Sequence, residues 1–349
     1  MTAVDVAEAL KVATRRGAAV LPVGGRRHLD RGNPGPVDLE LWTTQLDRIA
    51  SYEAAEMIAV VGGGTRVEAL QAALAAGGQE WPVDAPGDAT VGGVIAAGAS
   101  SPRRLRVGSV RDSVLRVELV TGDGRIVHAG APTVKQSAGY GITRVVVGSL
   151  GTLGVITEVA LKVRPLPKAR RALVAAGPGL EVGTRLLRAV PLPAAVLAEP
   201  DHVVVHLEGW PEEIAEQTEA ASTVADIEVQ GDLAVPISHF PEAPILVEAS
   251  VPPSRLADIL GERRRWRAAL GVGTAWIPLD DRADLDEVRH RVAAAGGIAP
   301  VTRGSGGLGP APDPAPDVRR RLKDAFDPEG ILAPGRFWGS VPATPGIAP

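Results

Sequence analysis

The sequence predicts an α+β protein of two domains, and three observations carry that prediction. Segments with helical spacing alternate with short apolar strands along the whole chain. At 349 residues the chain is too long for one small core and suits two. Between two regions of different composition lies Arg164-Pro165-Leu166-Pro167-Lys168, a stiff segment that breaks a strand. The first domain is placed at residues 1–167 and the second at 168–318.

The elements follow in order. From Asp5 to Arg16, Val6, Ala9, Leu10 and Ala13 recur at helical spacing, and Gly17 stops the helix. Ala18 to Val23 is a short strand that runs into GGRRHLDRGNPGP, and Val37 to Leu41 is a second strand. Gly24 and Gly25 stand at a strand tip, where backbone N–H groups can hold an anion. Ile58 to Val61 is a strand and Val67 to Ala76 a helix, with Gly62, Gly63 and Gly64 near the turn. This run fails as a dinucleotide fingerprint, because Val67 occupies the third glycine position of G-x-G-x-x-G. It reads as a plain strand–turn–helix connection, and no P-loop occurs anywhere.

Leu115 to Val120 and Arg125 to His128 flank Thr121-Gly122-Asp123-Gly124, whose Asp-Gly pair marks a hairpin. Val145 to Val147 and Val155 to Val163 read as further strands. Beyond the Pro-rich boundary, Arg170–Ala176, His202–Leu207, Ile245–Val251 and Gly273–Pro278 read as strands. Glu212–Ala225, Arg255–Leu270, Asp284–Ala295 and Arg319–Phe326 read as helices. The second domain is expected as helices on one face of an antiparallel sheet. Thr302 to Pro316 is expected to be irregular, and the tail from Ser340 frayed.

Composition excludes several function classes. A net charge of −4 provides no general basic surface for nucleic acid. The chain has no cysteine, which excludes disulfides, thiolate zinc sites and a thiol nucleophile, and means that iron–sulfur ligands must come from another chain. The N-terminus lacks the apolar core of a signal peptide, and no apolar run reaches membrane-span length. A cytoplasmic location is expected.

The most informative stretch is Trp81 to Glu158. Small residues crowd Ala85 to Ser101 and return from Gly148 to Thr157, with Arg103, Arg104, Arg106 and Arg111 between. Small side chains let backbone approach a bulky ligand and present N–H groups to anionic oxygens, which points to a phosphate-bearing cofactor. The same composition also suits a tightly turned β-region.

Four ordered motifs give this stretch a family. They are PGDATVGGVIA at Pro86–Ala96, SPRRLRVGSVRDSVL at Ser101–Leu115, VGSLGTLGVITEV at Val147–Val159 and FDPEGILAPGRF at Phe326–Phe337. Together they resemble the vanillyl-alcohol oxidase/p-cresol methylhydroxylase type of FAD-binding proteins, and within it the FAD-binding E subunits of glycolate oxidase. The resemblance implies an FAD-binding domain with subdomains at about 1–45 and 46–167, followed by a ferredoxin-like α+β cap at 168–318. It also implies a C-terminal segment, 319–339, that returns to the flavin domain. The implied FAD loops are Pro22, Gly24, Gly25, Arg26, Arg27 and His28, then Pro86, Gly87, Ala89, Thr90, Gly92, Gly93 and Ala96. Arg106, Gly108, Arg111 and Asp112 are implied from the second motif, and Gly151, Thr152, Gly154, Val155 and Ile156 from the third.

The chain also departs from the pattern. The usual first loop resembles Pro-Arg-Gly-Gly-Gly-Thr, whereas here it is Pro22-Val23-Gly24-Gly25-Arg26-Arg27. The two guanidinium groups can neutralise a pyrophosphate, or fill the space it needs. Arg27 stands where some relatives carry a flavin-linking histidine, so non-covalent FAD is expected. Val107 replaces a frequent tyrosine, and Gln136-Ser137 a frequent Asn-Val. The cap lacks the His-x-x-Gly-Asp-Gly-Asn motif of relatives that oxidise lactate or glycolate by themselves.

Oxidising a 2-hydroxy acid needs a base, a hydride acceptor and a cation for the carboxylate. Arg104, Arg106, Arg111 and Arg336 are candidate cations, with surface or pyrophosphate-facing charge as the alternative. No base is evident among His28, His128, His202, His206, His239 and His290. His202 and His206 share one strand face at metal-site spacing, without a third ligand, which suits a solvated face. The expectation is an FAD-binding subunit of a glycolate-oxidase-like complex, beside a catalytic flavoprotein subunit and an iron–sulfur subunit. The alternatives are a stand-alone FAD oxidase of a small alcohol or hydroxy acid, and a flavin-free structural subunit.

Overall fold

The computed structural model describes residues 1–99, 101–131, 141–231, 240, 242–309 and 315–337. Gln136, Ser137, His239 and the tail from Ser340 lie outside the described residues. The chain forms two units. The first takes residues 1–99, 110–165 and 312 onward, and the second takes 100–109 and 166–311.

In the first unit a five-stranded antiparallel sheet runs Ile49–Glu53, Ile58–Gly62, Val155–Lys162, Val114–Val120, Ile126–Gly130. Alternation puts Val117, Leu119, Val159 and Leu161 on one face. There they pack with Val67, Leu70 and Leu74 of helix Val67–Ala76 and with Val91, Val94 and Ile95 of helix Val91–Ala97. Trp81 is fully buried among them and donates its indole N–H to Ser113 Oγ at 2.9 Å.

A smaller layer holds helix Ala3–Arg16 and the parallel pair Val20–Val23 and Leu39–Trp42. Thr2 and Asp5 form the capping box of the helix, and Gly17, at φ +60°, ends it. The C-terminal turn joins this layer. Val20 donates to the Ile331 carbonyl and Ala333 to the Val20 carbonyl, each at 2.8 Å. Asp327 is buried and accepts from the amides of Ile331 and Leu332, while Lys323 Nζ donates to Asp327 and to the Thr152 and Leu332 carbonyls. This cluster fixes the turn between the strand at Val20–Val23 and the loop at 149–154.

The second unit is built on an eight-stranded antiparallel sheet. Its order is Glu228–Gln230, Ala169–Ala176, His202–Gly209, Ala195–Ala198, Arg267–Ala269, Thr274–Leu279, Ile245–Ser250, Val301–Arg303. Each half of the sheet runs strand–helix–strand–strand–helix–strand in sequence, with the first and third strands central: split-βαβ connectivity, occurring twice. Helices Gly179–Ala189, Pro211–Ser222, Leu256–Leu260 and Arg282–Ala294 cover one face over Leu173, Val205, Val247 and Ile277.

Three elements differ from the sequence expectation. Val301–Arg303 forms an edge strand beside Ile245–Ser250, where an irregular segment was expected from Thr302, because backbone pairing with that neighbour satisfies its polar groups. Val145–Val147 is not a strand: Ile142–Val146 forms a short helix that buries Val146 beside the sheet. Its β-branched residues favour a strand, but tertiary packing overrides that local preference. The helix expected over Arg255–Leu270 ends at Leu260, because Gly261 takes φ +52°. Arg267–Ala269 then pairs with both Ala195–Ala198 and Thr274–Leu279, joining the halves of the sheet.

The Gly62–Gly64 run has a packing role. A Cβ on Gly62, Gly63 or Gly64 would collide with the carbonyl oxygen of Leu46, Ile156 or Thr43 respectively. The Gly63 carbonyl in turn accepts from Gly92 N at 2.8 Å, bracing the start of helix Val91–Ala97. We therefore expect Gly63→Ala to destabilise the protein by about 2 kcal/mol, measured as a lowered urea midpoint, since backbone cannot yield to an inserted methyl.

Candidate functional site: a glycine-lined cleft

In the first unit, strand Val20–Val23 delivers the Gly24–His28 loop directly against the Asp88–Thr90 loop. A Cβ on Gly24 would collide with Thr90 Oγ1 and lie 3.2 Å from the Thr90 Cβ. One on Gly25 would collide with the Asp88 carbonyl oxygen and lie 3.2 Å from Ala89 Cα. Only glycines permit this approach. Thr90 caps helix Val91–Ala97, its hydroxyl oxygen accepting from Gly93 N at 3.3 Å. The third wall is the turn at Leu150 and Gly151, with φ of +56° and +78°, held by the Leu150 amide on the Ala96 carbonyl at 2.8 Å.

These segments line an open cleft on the surface of the first unit. Of the residues implied by sequence, it is lined by Pro22, Gly24, Gly25, Arg26, Arg27 and His28 from the first loop. Ala89, Thr90, Gly92, Gly93 and Ala96 line it from the second, and Gly151, Gly154, Val155 and Ile156 from the third.

Other expected residues do not line it. The carbonyls of Pro86 and Gly87 are occupied by the amides of Ala89 and Glu68, which shape the loop. Thr152 is buried with its hydroxyl donated to the Ser149 carbonyl at 2.7 Å. Arg111 and Asp112 sit in the short helix Val110–Ser113 and are not among the lining residues. Arg106 and Gly108 belong to the second unit, where Arg106 donates to the Leu192 carbonyl at 2.6 Å and Gly108 caps a one-turn helix at φ +79°.

Leu29, Thr43 and Ala97, outside the four motifs, also line the cleft, as do Leu150 from the third motif and Arg336, a candidate cation, from the fourth. Thr43 follows the strand paired with Val20–Val23, so only strand pairing reveals its place. Arg336 arrives through the Val20–Leu332 bridge, which no local spacing encodes.

The arginines divide into two kinds. Arg26 keeps the left-handed backbone expected of glycine, at φ +59°, and its guanidinium pairs with Glu40 and lies 4.9 Å from the Trp42 ring centroid. Arg27 forms a forked pair with Asp88, its Nε 2.8 Å from both carboxylate oxygens. The hydrogen bond to Asp88 raises the Arg27 pKa, and the hydrogen bond from Arg27 lowers that of Asp88. Both side chains are about half exposed, so they stand at the rim and leave the cleft open. Arg336 is different. It donates to the Leu29 carbonyl, packs on Gly32, and among the described residues has no carboxylate at ion-pair distance. Burial lowers its pKa, with Asp30 opposing; an arginine stays charged regardless. The glycine walls, the open volume and this inward cation fit a bulky dianionic cofactor.

Comparison with known proteins gives the cofactor. A model of the FAD binding domain family, FAD_binding_4, matches residues 2–130. Glycolate oxidase subunit GlcE of Escherichia coli (strain K12) is 32% identical over 312 residues, covering 84% of this chain and 85% of that one. The chain belongs to this family of FAD-binding oxidoreductases. A second member, D-lactate dehydrogenase of Archaeoglobus fulgidus, is 34% identical over 180 residues, and there the chain spans 40% of the relative's length. The solved structure of alkyldihydroxyacetonephosphate synthase shares the fold, with a TM-score of 0.68 at 15% identity over 95% of this chain and 74% of that one. The cofactor of this family member is FAD, and the cleft of the first unit has the walls to receive it.

Among the described residues no helix is long and apolar enough to cross a membrane, and no group of three His, Asp or Glu could hold a metal. The solvated face expected for His202 and His206 fails for the second of them. Both point to the helix-free face of the second unit's sheet, but His206 is only 8% exposed. Burial, with Arg267 adding to it, pushes its pKa down to about 4.

That shift has a definite sign. Above about pH 6.5 His206 is neutral in both folded and unfolded chains and contributes nothing. Below it the unfolded chain takes up the proton first, so stability falls until about pH 4, where the folded chain also protonates. The full effect is about 3 kcal/mol. Urea unfolding from pH 7 to pH 4.5 should therefore show a shallower loss for His206→Phe than for the natural protein.

Proposed function

We propose that this chain is the FAD-carrying subunit of a glycolate-oxidase-like complex, oxidising a small 2-hydroxy acid and passing electrons to partner subunits. The observation that carries this reading is the breadth of the GlcE match, which runs along 85% of a named glycolate oxidase subunit. The match to the D-lactate dehydrogenase spans 40% of that protein. The sequence agrees on two counts. It lacks the His-x-x-Gly-Asp-Gly-Asn motif, and without cysteine it offers no cluster of its own to carry electrons onward.

FAD bound in the cleft would supply the hydride acceptor. The chain's own part is to hold it: Gly24, Gly25, Thr90, Gly92 and Gly93 present backbone and hydroxyl to the pyrophosphate. Arg336 supplies the balancing charge. Arg26 and Arg27 are already committed to Glu40 and Asp88 and serve to set the loops. Arg27 stands where some relatives carry a flavin-linking histidine, so on this reading the cofactor is held non-covalently, and acid precipitation should release all yellow colour to the supernatant.

The arginine roles give an ordered expectation. Arg336→Gln should weaken FAD binding about tenfold, the loss of one charge-assisted contact, by fluorescence-quenching titration of the apoprotein. Arg26→Gly and Arg27→Thr should each change it by less than about threefold, because an exposed, already paired guanidinium contributes little.

Complex membership is tested by co-expression with a catalytic flavoprotein subunit and an iron–sulfur subunit. The three chains should co-purify, and dye reduction by glycolate should require all of them. Turnover of glycolate by the isolated chain at the rate of the mixture would replace this reading with a stand-alone FAD oxidase.

A further inference from the structure

Among the described residues the second unit has three buried side-chain polar atoms without a partner, on His206, Gln217 and Arg263, and of these His206 alone lies among buried ion pairs on the sheet. His206 Nε2 is shielded from solvent and, among the described residues, has no hydrogen-bond partner. Leaving a buried polar atom unpaired costs about 1–3 kcal/mol, and folded proteins seldom tolerate it without a reason. The register shows why no protein group reaches it. His206 lies opposite Ala172 on one neighbouring strand and Ala195 on the other, two side chains with nothing polar to offer.

Buried ion pairs lie on the same sheet face. Arg103 from segment 100–109 pairs with Glu208 at 2.9 Å, and both are almost fully buried. Arg170 approaches Glu208 at 3.4 Å. On the other flank Arg267 is 3% exposed and holds Glu199 at 2.7 Å. His202, the remaining histidine of the face, is engaged by Asp201 at 2.8 Å, and Glu248 accepts from the Trp276 indole at 3.1 Å. Of the charges that act on His206, Arg267 and Arg103 oppose its protonation and Glu208 alone favours it. Burial, more than the balance of these charges, keeps the imidazole neutral.

We propose that His206, on the sheet face that also carries the Arg103–Glu208 and Arg267–Glu199 pairs, is a binding point for a small 2-hydroxy carboxylate. The proposal rests on the reading of the chain as a hydroxy-acid oxidoreductase. The ligand carboxylate is drawn by the two guanidinium groups, and its hydroxyl meets Nε2. A hydroxyl can both donate and accept, so it satisfies that nitrogen in either neutral tautomer. Neither half of the ligand suffices alone: acetate lacks the hydroxyl and ethylene glycol lacks the charge. The position was not recoverable from a catalytic motif, because strand pairing and burial, not spacing, create it.

The test is a histidine-labelled NMR titration of the full chain carrying FAD, with the His206 ring signal identified by its loss in His206→Phe. Sodium glycolate at about 10 mM, ten times the upper end of ordinary KM values, should shift that signal saturably. It should also move the His206 titration midpoint upward from about 4, since a nearby anion favours the imidazolium. Acetate and ethylene glycol at the same concentration should shift it far less. His206→Phe, which fills the same space, should keep its flavin absorbance and lose glycolate affinity at least about tenfold. A yellow natural protein whose His206 signal ignores glycolate would overturn this proposal while leaving the flavin reading in place. So would a His206→Phe protein that binds glycolate as well as before. A colourless protein that still shows the shift would support the site and sink the flavin reading instead.

Discussion

The first unit depends on one constraint: two loops, remote in sequence, press backbone against backbone. Gly24 and Gly25 lie against Asp88, Ala89 and Thr90 with no room for a single carbon between. Everything around the cleft serves to hold that approach. The Gly62–Gly64 run lets the neighbouring strand crowd in from behind, and its carbonyl at Gly63 secures Gly92. The forked Arg27–Asp88 pair ties the same loops together at the rim. Such a site is preformed by sterics more than by attraction. Its walls are set by where side chains are absent, which is why small residues dominate the most informative stretch of the chain.

Much of this was legible in the sequence because absence of a side chain is itself a local signal. A glycine pair at a strand tip, or Thr90 three residues before Gly93, carries its geometry within a few residues. The fold class was legible for the same reason, since period and punctuation are local. What failed was long-range. Val145–Val147 carries β-branched residues yet became a helix, because packing against a sheet overrode preference. The strand Arg267–Ala269 was hidden in an apparent helix because its value lies in joining two half-sheets. Arg336, a candidate cation in the sequence, and His206, expected on a solvated face, each take their place from strand pairings formed far away in sequence.

The arginines show how charge number and charge role separate. The first loop replaces a glycine and a hydroxyl with two guanidinium groups, and the sequence alone allows them either to bind phosphate or to block it. The structure gives each a carboxylate of its own, Glu40 and Asp88, so the loop's net charge hardly changes. Arg26 even retains the left-handed backbone of the residue it replaces, which costs about 1–2 kcal/mol in a non-glycine residue. Substitution here altered the rim of the cleft and left its walls as they were.

The C-terminal turn has a consequence for how the protein is made. Lys323, Asp327, Leu332 and Ala333 lock onto the strand and the turn that form two walls of the cleft, and Arg336 completes its lining. A ribosome must translate the whole of residues 166–311 before any of these emerges. During that interval the nascent first unit has its glycine loops but neither its brace nor its inward cation. The full lining of the cleft therefore exists only once the last residues of the chain have been made.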